Sequence, residues 1–115
     1  MAISPPAPLV QAQLLTVGVL SYYTVPTSKR TVINSATLHN SDTTNTIVAT
    51  VYIVPSGGSD GDDTEVAVIS LLPKETVTLS EIIGKPMGAG ASIQALAATG
   101  GKVNLYVGGT EYAVT

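Results

Sequence analysis

The stretch TNTIVATVYIVPSGGS, residues 44–59, carries the densest β-branched run of the chain, IVATVYIV at 47–54. Such residues fit a pleated backbone. Pro55 then removes a ladder donor, and Ser56-Gly57-Gly58 supplies turn chemistry. Both alternating sets are largely apolar: Ile47, Ala49, Val51 and Ile53 on one side, Val48, Thr50, Tyr52 and Val54 on the other. Side chains alternate with period two along a strand, so one face meets a core and the other meets a further layer. That layer belongs either to the same chain or to another protein.

Working outward, the same pattern recurs on both sides. QLLTVGVLSYYTV at 13–25 reads as one strand kinked at Gly18, and TVINSATLHN at 31–40 as a half-buried strand. Turn formers fill 40–45, which predicts a hairpin or short arch before the central strand. After it, 55–63 reads as an exposed loop, 64–72 and 75–83 as strands joined by Pro73-Lys74, and 84–90 as a glycine-rich bend. Three short strands follow at 92–98, 102–107 and 110–114, the last two joined by a tight Gly108-Gly109 hairpin. No segment shows a sustained helical period. About eight short strands at this spacing predict a two-layer antiparallel β-sandwich, jelly-roll-like or immunoglobulin-like. The absence of Cys and Trp argues against an antibody-type domain.

Ahead of the sandwich, Ser4-Pro5-Pro6-Ala7-Pro8 cannot continue a ladder or a helix. The division expected is therefore an extended Pro-rich N-terminal arm, 1–12, and a sandwich domain, 13–115. The arm either lies along its own sandwich or reaches a neighbouring chain, which makes Pro5, Pro6, Pro8 and Leu9 candidate interface residues.

Composition narrows the function. Charged residues make up 11% of the 115 positions, against about 25% in an average soluble domain. A surface so poor in charge favours a subunit buried among neighbours, since charge keeps free monomers dispersed. The net charge of −3 and the scattered basic residues exclude a phosphate-binding footprint, so nucleic acid is not an expected partner. No run is long and apolar enough to span a bilayer, and the first residues lack the basic start of a signal peptide, so no membrane role and folding in a cytoplasm are expected. The lack of cysteine removes disulfides, thiolate nucleophiles and Cys-based metal sites.

Candidate sites are few. Asp60, Asp62, Asp63 and Glu65 crowd one loop, a composition that can bind calcium, yet the glycine and glutamate positions of an EF-hand loop are missing. A solvated loop tip is the better reading. His39 lies near Ser35 and Asp42 in sequence, but Ser35 and His39 would stand about 13 Å apart on a strand, too far for a hydrolase triad. No enzyme, cofactor or metal is expected. Tyr22, Tyr23 and Tyr52 are interface candidates, because tyrosines favour protein contacts and, more rarely, sugar platforms.

The turn Val54-Pro55-Ser56-Gly57-Gly58, the segment Leu72-Pro73-Lys74-Glu75-Thr76-Val77-Thr78-Leu79, Gly84, the segment Gly90-Ala91-Ser92-Ile93-Gln94-Ala95 and the closing Gly109-Thr110-Glu111 together resemble small structural proteins of tailed bacteriophage virions. The similarity spans 26–114. Lys74 replaces a usual glycine, and Ala91-Ser92 stands where an aspartate would. A binding module that reads a host glycan or receptor through Tyr22 or Tyr23 and the 56–63 loop is the alternative reading of these residues. The resemblance itself implies a virion component: a capsid decoration or cement protein, a neck or collar piece, or a tail-associated module. Its implied partners are other virion proteins, capsid or tail, and further copies of itself. Decoration of the capsid exterior is the favoured position.

Overall fold

The computed structural model describes residues 7–113. Its strands are β1 (Ala7–Leu14), β2 (Leu20–Thr24), β3 (Lys29–Asn40), β4 (Ile47–Val54), β5 (Glu65–Leu71), β6 (Thr76–Thr78), β7 (Pro86–Met87), β8 (Ser92–Ala97) and β9 (Val103–Ala113), with no helix among the described residues. One sheet runs β1-β9-β3-β6, with β7 also on β3, and the other runs β2-β8-β4-β5. All pairings are antiparallel. The pairs are nested: β4 with β5, β3 with β6 and β7, β2 with β8, β1 with β9. A long hairpin whose tip is the β4–β5 loop has been rolled up, bringing β8 against β4 and β9 against β3. That is the jelly roll, and the strand order decides it over the immunoglobulin alternative.

The expected central strand sits inside the second sheet, between β8 and β5. Its buried residues are Ile47, Ala49, Val51 and Val54. Ile47, Ala49 and Val51 meet Ile33, Ala36 and Leu38 of β3, Leu105 and Val107 of β9, and Ile93, Ala95 and Ala97 of β8 in one cluster. Each fully buried Leu, Ile or Val in it stabilises by roughly 1.5–3 kcal/mol relative to exposure.

Four expectations need correction. The stretch at 13–25 is not one kinked strand. Leu15 N–H still donates to Val103 in the first sheet (2.8 Å), whereas Thr16 C=O already accepts from Ala97 in the second (3.0 Å). The chain changes sheets within one residue, and buried Leu15 fills the corner.

The boundary at 12–13 also falls inside β1, because Ala7–Leu14 pairs with β9 and belongs to the sandwich. Pro5 and Pro6 lie outside the described residues.

The strand expected at 75–83 stops after Thr78. The chain then leaves the sheet edge, tucks Leu79 and Ile82 into the core, and returns as β7. A three-residue spacing of apolar groups served a turn there and not a continuing pleat.

Finally, Gly108-Gly109 is no hairpin but the middle of β9. Both neighbours shift register opposite it, β1 between Pro8 and Val10 and β3 between Ile33 and Ser35. A Cβ on Gly109 would lie 2.6 Å from Val32 O and 2.7 Å from Leu9 Cδ1. The glycine lets a doubly flanked strand bend while Leu9 packs across it.

Candidate assembly surfaces

Among the described residues no pocket opens and the polar chemistry is dispersed over loops, so what they offer a partner is outer faces and edges. The outer face of the second sheet is the more apolar of the two. Register places Val68, Thr50 and Leu96 side by side across β5, β4 and β8, with Val48 beside Ser70 in the row on one side and Tyr52 beside Gln94 on the other. Val48 is 40% exposed and Val68 53%. Glu65, at the rim opposite Tyr52, is the ionisable acid these strands bring to that face. This is the second apolar face that the residues of 47–54 implied. Val68 completes it, and only the pairing of β5 with β4 reveals that the two strands present one patch.

The outer face of the first sheet is polar but mostly uncharged. Thr37 pairs across to Thr78 and His39 to Thr76, while Tyr106 pairs with Thr37 from the other side. His39 Nδ1 and Thr76 Oγ1 share a hydrogen bond of 2.7 Å. The hydroxyl that His39 engages is thus a cross-strand threonine.

The tyrosines divide. Tyr22 and Tyr23 sit at the register shift of β2, and both pack against the core. Tyr23 bridges the sheets: its hydroxyl donates to Glu111 Oε2 (2.6 Å) and lies 2.7 Å from Thr31 Oγ1. Burial, followed by the hydrogen bond to Glu111, pushes its pKa up to about 12. The Tyr22 hydroxyl is buried without a hydrogen-bond partner among the described residues. Tyr52 alone of the three candidates lies on the outer face of the second sheet. Burial and then the negative charges of Glu65, Asp60 and Asp62 raise its pKa.

Asp60, Asp62 and Asp63 are exposed at the tip of the β4–β5 loop. No three His, Cys, Asp or Glu among the described residues come together as a metal site. The loop is closed by its own Thr64, whose hydroxyl donates to Ser59 or Gly61 C=O and accepts from Gly61 N–H. Its base meets the 88–91 turn, where a Cβ on Gly90 (φ 84°) would stand 2.5 Å from Ser56 Oγ.

The polar residues missed by sequence reasoning lie at the opposite end. Asn40, fully buried, accepts from Asp42 N–H (2.9 Å) and directs Nδ2 to Asn45 O (2.9 Å), Leu71 O (3.1 Å) and Leu72 O (3.3 Å). It ties the end of β3 to the end of β5 across the two sheets. Asp42 accepts from the backbone and side chain of both Thr44 and Asn45. Those bonds, the Thr44 N–H first, hold its carboxyl down at about 2. The turn beyond β5 explains Lys74: Glu75 N–H closes on Leu72 C=O (3.0 Å) and Lys74 takes φ 62°. A left-handed conformation suits the glycine that the resembling pattern has there and costs a side chain roughly 1–2 kcal/mol.

No known family's sequence model matches the chain, and no curated protein matches it. Among solved structures, one from work described as "Bacillus endospore appendages form a novel family of disulfide-linked pili" aligns over 98% of this chain and 89% of its own, at 14% identity and TM-score 0.52. That likeness shows the fold. Structures of infectious bursal disease virus, Gx and Gt strains, align over 98% and 96% of this chain but 33% and 30% of theirs, each at 10% identity, with TM-scores of 0.38 and 0.34. Likeness at that level carries no argument.

Proposed function

We propose that the protein is a non-enzymatic structural subunit of a tailed-phage virion, folded in the host cytoplasm and mounted on the capsid exterior as a decoration protein. The observation that carries this reading is the outer face of the second sheet, a row of Val68, Thr50 and Leu96 with Val48 and Tyr52 beside it. Such a face gains by being covered, and the low charge of the chain gives it little to keep it apart from neighbours. Pro8, exposed on edge strand β1, and the residues ahead of it supply a second contact to the capsid lattice.

Because β1 is part of the sheet, the contact of the leading segment is tested by removing residues 1–6 only. The reading itself is tested by gold-labelled antibody against the chain on purified particles. Label over the head surface is expected. Label confined to the neck or tail would move the subunit there, and particles without label would overturn the virion role. In the same particles, Thr50→Lys should cut incorporation by more than about tenfold, the effect of losing one central interface contact of ~2 kcal/mol, with the fold retained.

A further inference from the structure

Each sheet ends in two edges among the described residues, β1 and the β6–β7 pair in the first, β2 and β5 in the second. Exposed edges invite pairing with another chain, and proteins blunt them with bulges, prolines, charges or brevity. Three of these edges are blunted. β1 carries Pro8 and two register shifts, β2 has five residues and a shift at Tyr22, and β6 and β7 have three and two residues separated by the 79–85 excursion. β5 differs. From Ala67 to Leu71 it pairs with β4 without a break, and no charged residue occurs between Glu65 and Lys74.

The hydrogen bonds show which of its groups are open. Ala98 N–H donates to Val48 C=O from the β8 side, and Ile53 N–H donates to Thr64 C=O on the β5 side. Alternate residues of β4 therefore face β5, and their partners Ala67, Ile69 and Leu71 spend their backbone groups on that ladder. Val68 and Ser70 turn theirs to the open edge. The edge ends at Leu72, whose N–H donates to Glu75 Oε1 (2.9 Å) and whose C=O accepts from Glu75 N–H (3.0 Å).

We propose that β5 pairs antiparallel with β5 of a second copy, joining the two four-stranded sheets into one continuous sheet about a twofold axis at Ile69. Val68 of each copy then exchanges backbone hydrogen bonds with Ser70 of the other. Ile69, half-buried at the rim of the core, meets its own counterpart and is covered. Glu65 of each copy lands beside the Pro73-Lys74 turn of the other, so opposite charges meet at both ends. This charge match and the uncharged middle are what make the strand complementary to itself, and an isologous contact of this kind closes as a dimer. The outer patches around Val48 and Val68 run together into one face. The pairing stands apart from any role in a particle, since the dimer would form in solution without other virion proteins.

Sedimentation equilibrium of the full chain, up to its solubility limit, should give twice the 11.7 kDa chain mass. Ser70→Pro removes an N–H that β4 does not use and should halve that mass with the circular dichroism spectrum unchanged. Ile69→Cys, in a chain with no other cysteine, should yield a disulfide-linked dimer on mild oxidation, whereas Ser21→Cys on β2, the opposite edge of the same sheet, should not. A one-chain mass at every concentration, a dimer that survives Ser70→Pro in a folded protein, or no cross-link through Ile69→Cys would each overturn the proposal.

Discussion

Two loops of similar composition, 40–45 at one end of the sandwich and 55–63 at the other, do opposite work. Both are runs of turn formers, Asn, Asp, Ser, Thr, Gly or Pro, between strong strands. At 40–45 local bonds are joined by long-range ones. Asn40 reaches the carbonyls that end β5, Ser41 N–H donates to Lys102 C=O (2.8 Å), and Asp42 C=O accepts from Lys74 N–H (3.1 Å). At 55–63 the described bonds are local, Gly58 N–H to Pro55 C=O and the closure by Thr64. The first loop is a clasp between sheets, and the second is a tip that the fold carries outward. Acid count is therefore a poor guide to importance: one carboxylate in the clasp is strongly engaged, while three at the tip face solvent.

The largest expected effect is on the clasp. Asn40→Ala leaves the Asp42 N–H buried without its partner, at roughly 1–3 kcal/mol, and removes the side-chain bonds to the Asn45, Leu71 and Leu72 carbonyls, at about 0.5–1.5 kcal/mol each at most. The urea midpoint should drop by the equivalent of about 2–4 kcal/mol. A loss no larger than that of a surface substitution would break the contrast between the two loops.

Next comes acid. The folded carboxyl of Asp42 titrates at about 2, below its ordinary value of 3.8. A depressed value means that its stabilising contribution is complete above the unfolded value and is lost as pH falls from about 4 towards 2. Asp42→Asn should flatten the stability profile in that window, measured by denaturant titration at each pH. An unchanged acid limb would show that another carboxylate carries it.

The smallest effect belongs to the tip. Replacing Asp60, Asp62 and Asp63 together by Asn should alter stability by no more than about 0.5 kcal/mol, and adding calcium to the unaltered protein should leave its thermal midpoint in place. A calcium-dependent rise would turn the tip into a site and sharpen the comparison the other way.

Much of the architecture was legible in the residues. Alternation in 31–40, 47–54, 64–72 and 92–98 locates β3, β4, β5 and β8 to within a few positions, because a half-buried pleat demands that period. Less visible was anything requiring knowledge of a neighbour. Gly108-Gly109 has the local chemistry of a hairpin, yet β1 and β3 on either side hold it in a strand. Tyr22 and Tyr23 are interface candidates by residue type alone, but the register shift in β2 lets both pack against the core.

The sequence by itself determined an all-β chain, low in charge, whose strand at 47–54 has two apolar faces, since these follow from local propensity and period alone. Only the tertiary structure decided that the outer face joins Val48, Thr50, Val68 and Leu96 into one patch. It likewise decided that β5 is the unblunted edge and that Asn40 clasps the sheets. Those properties depend on which distant segments lie side by side, and the rolled hairpin brings them together across dozens of residues that no local pattern spans.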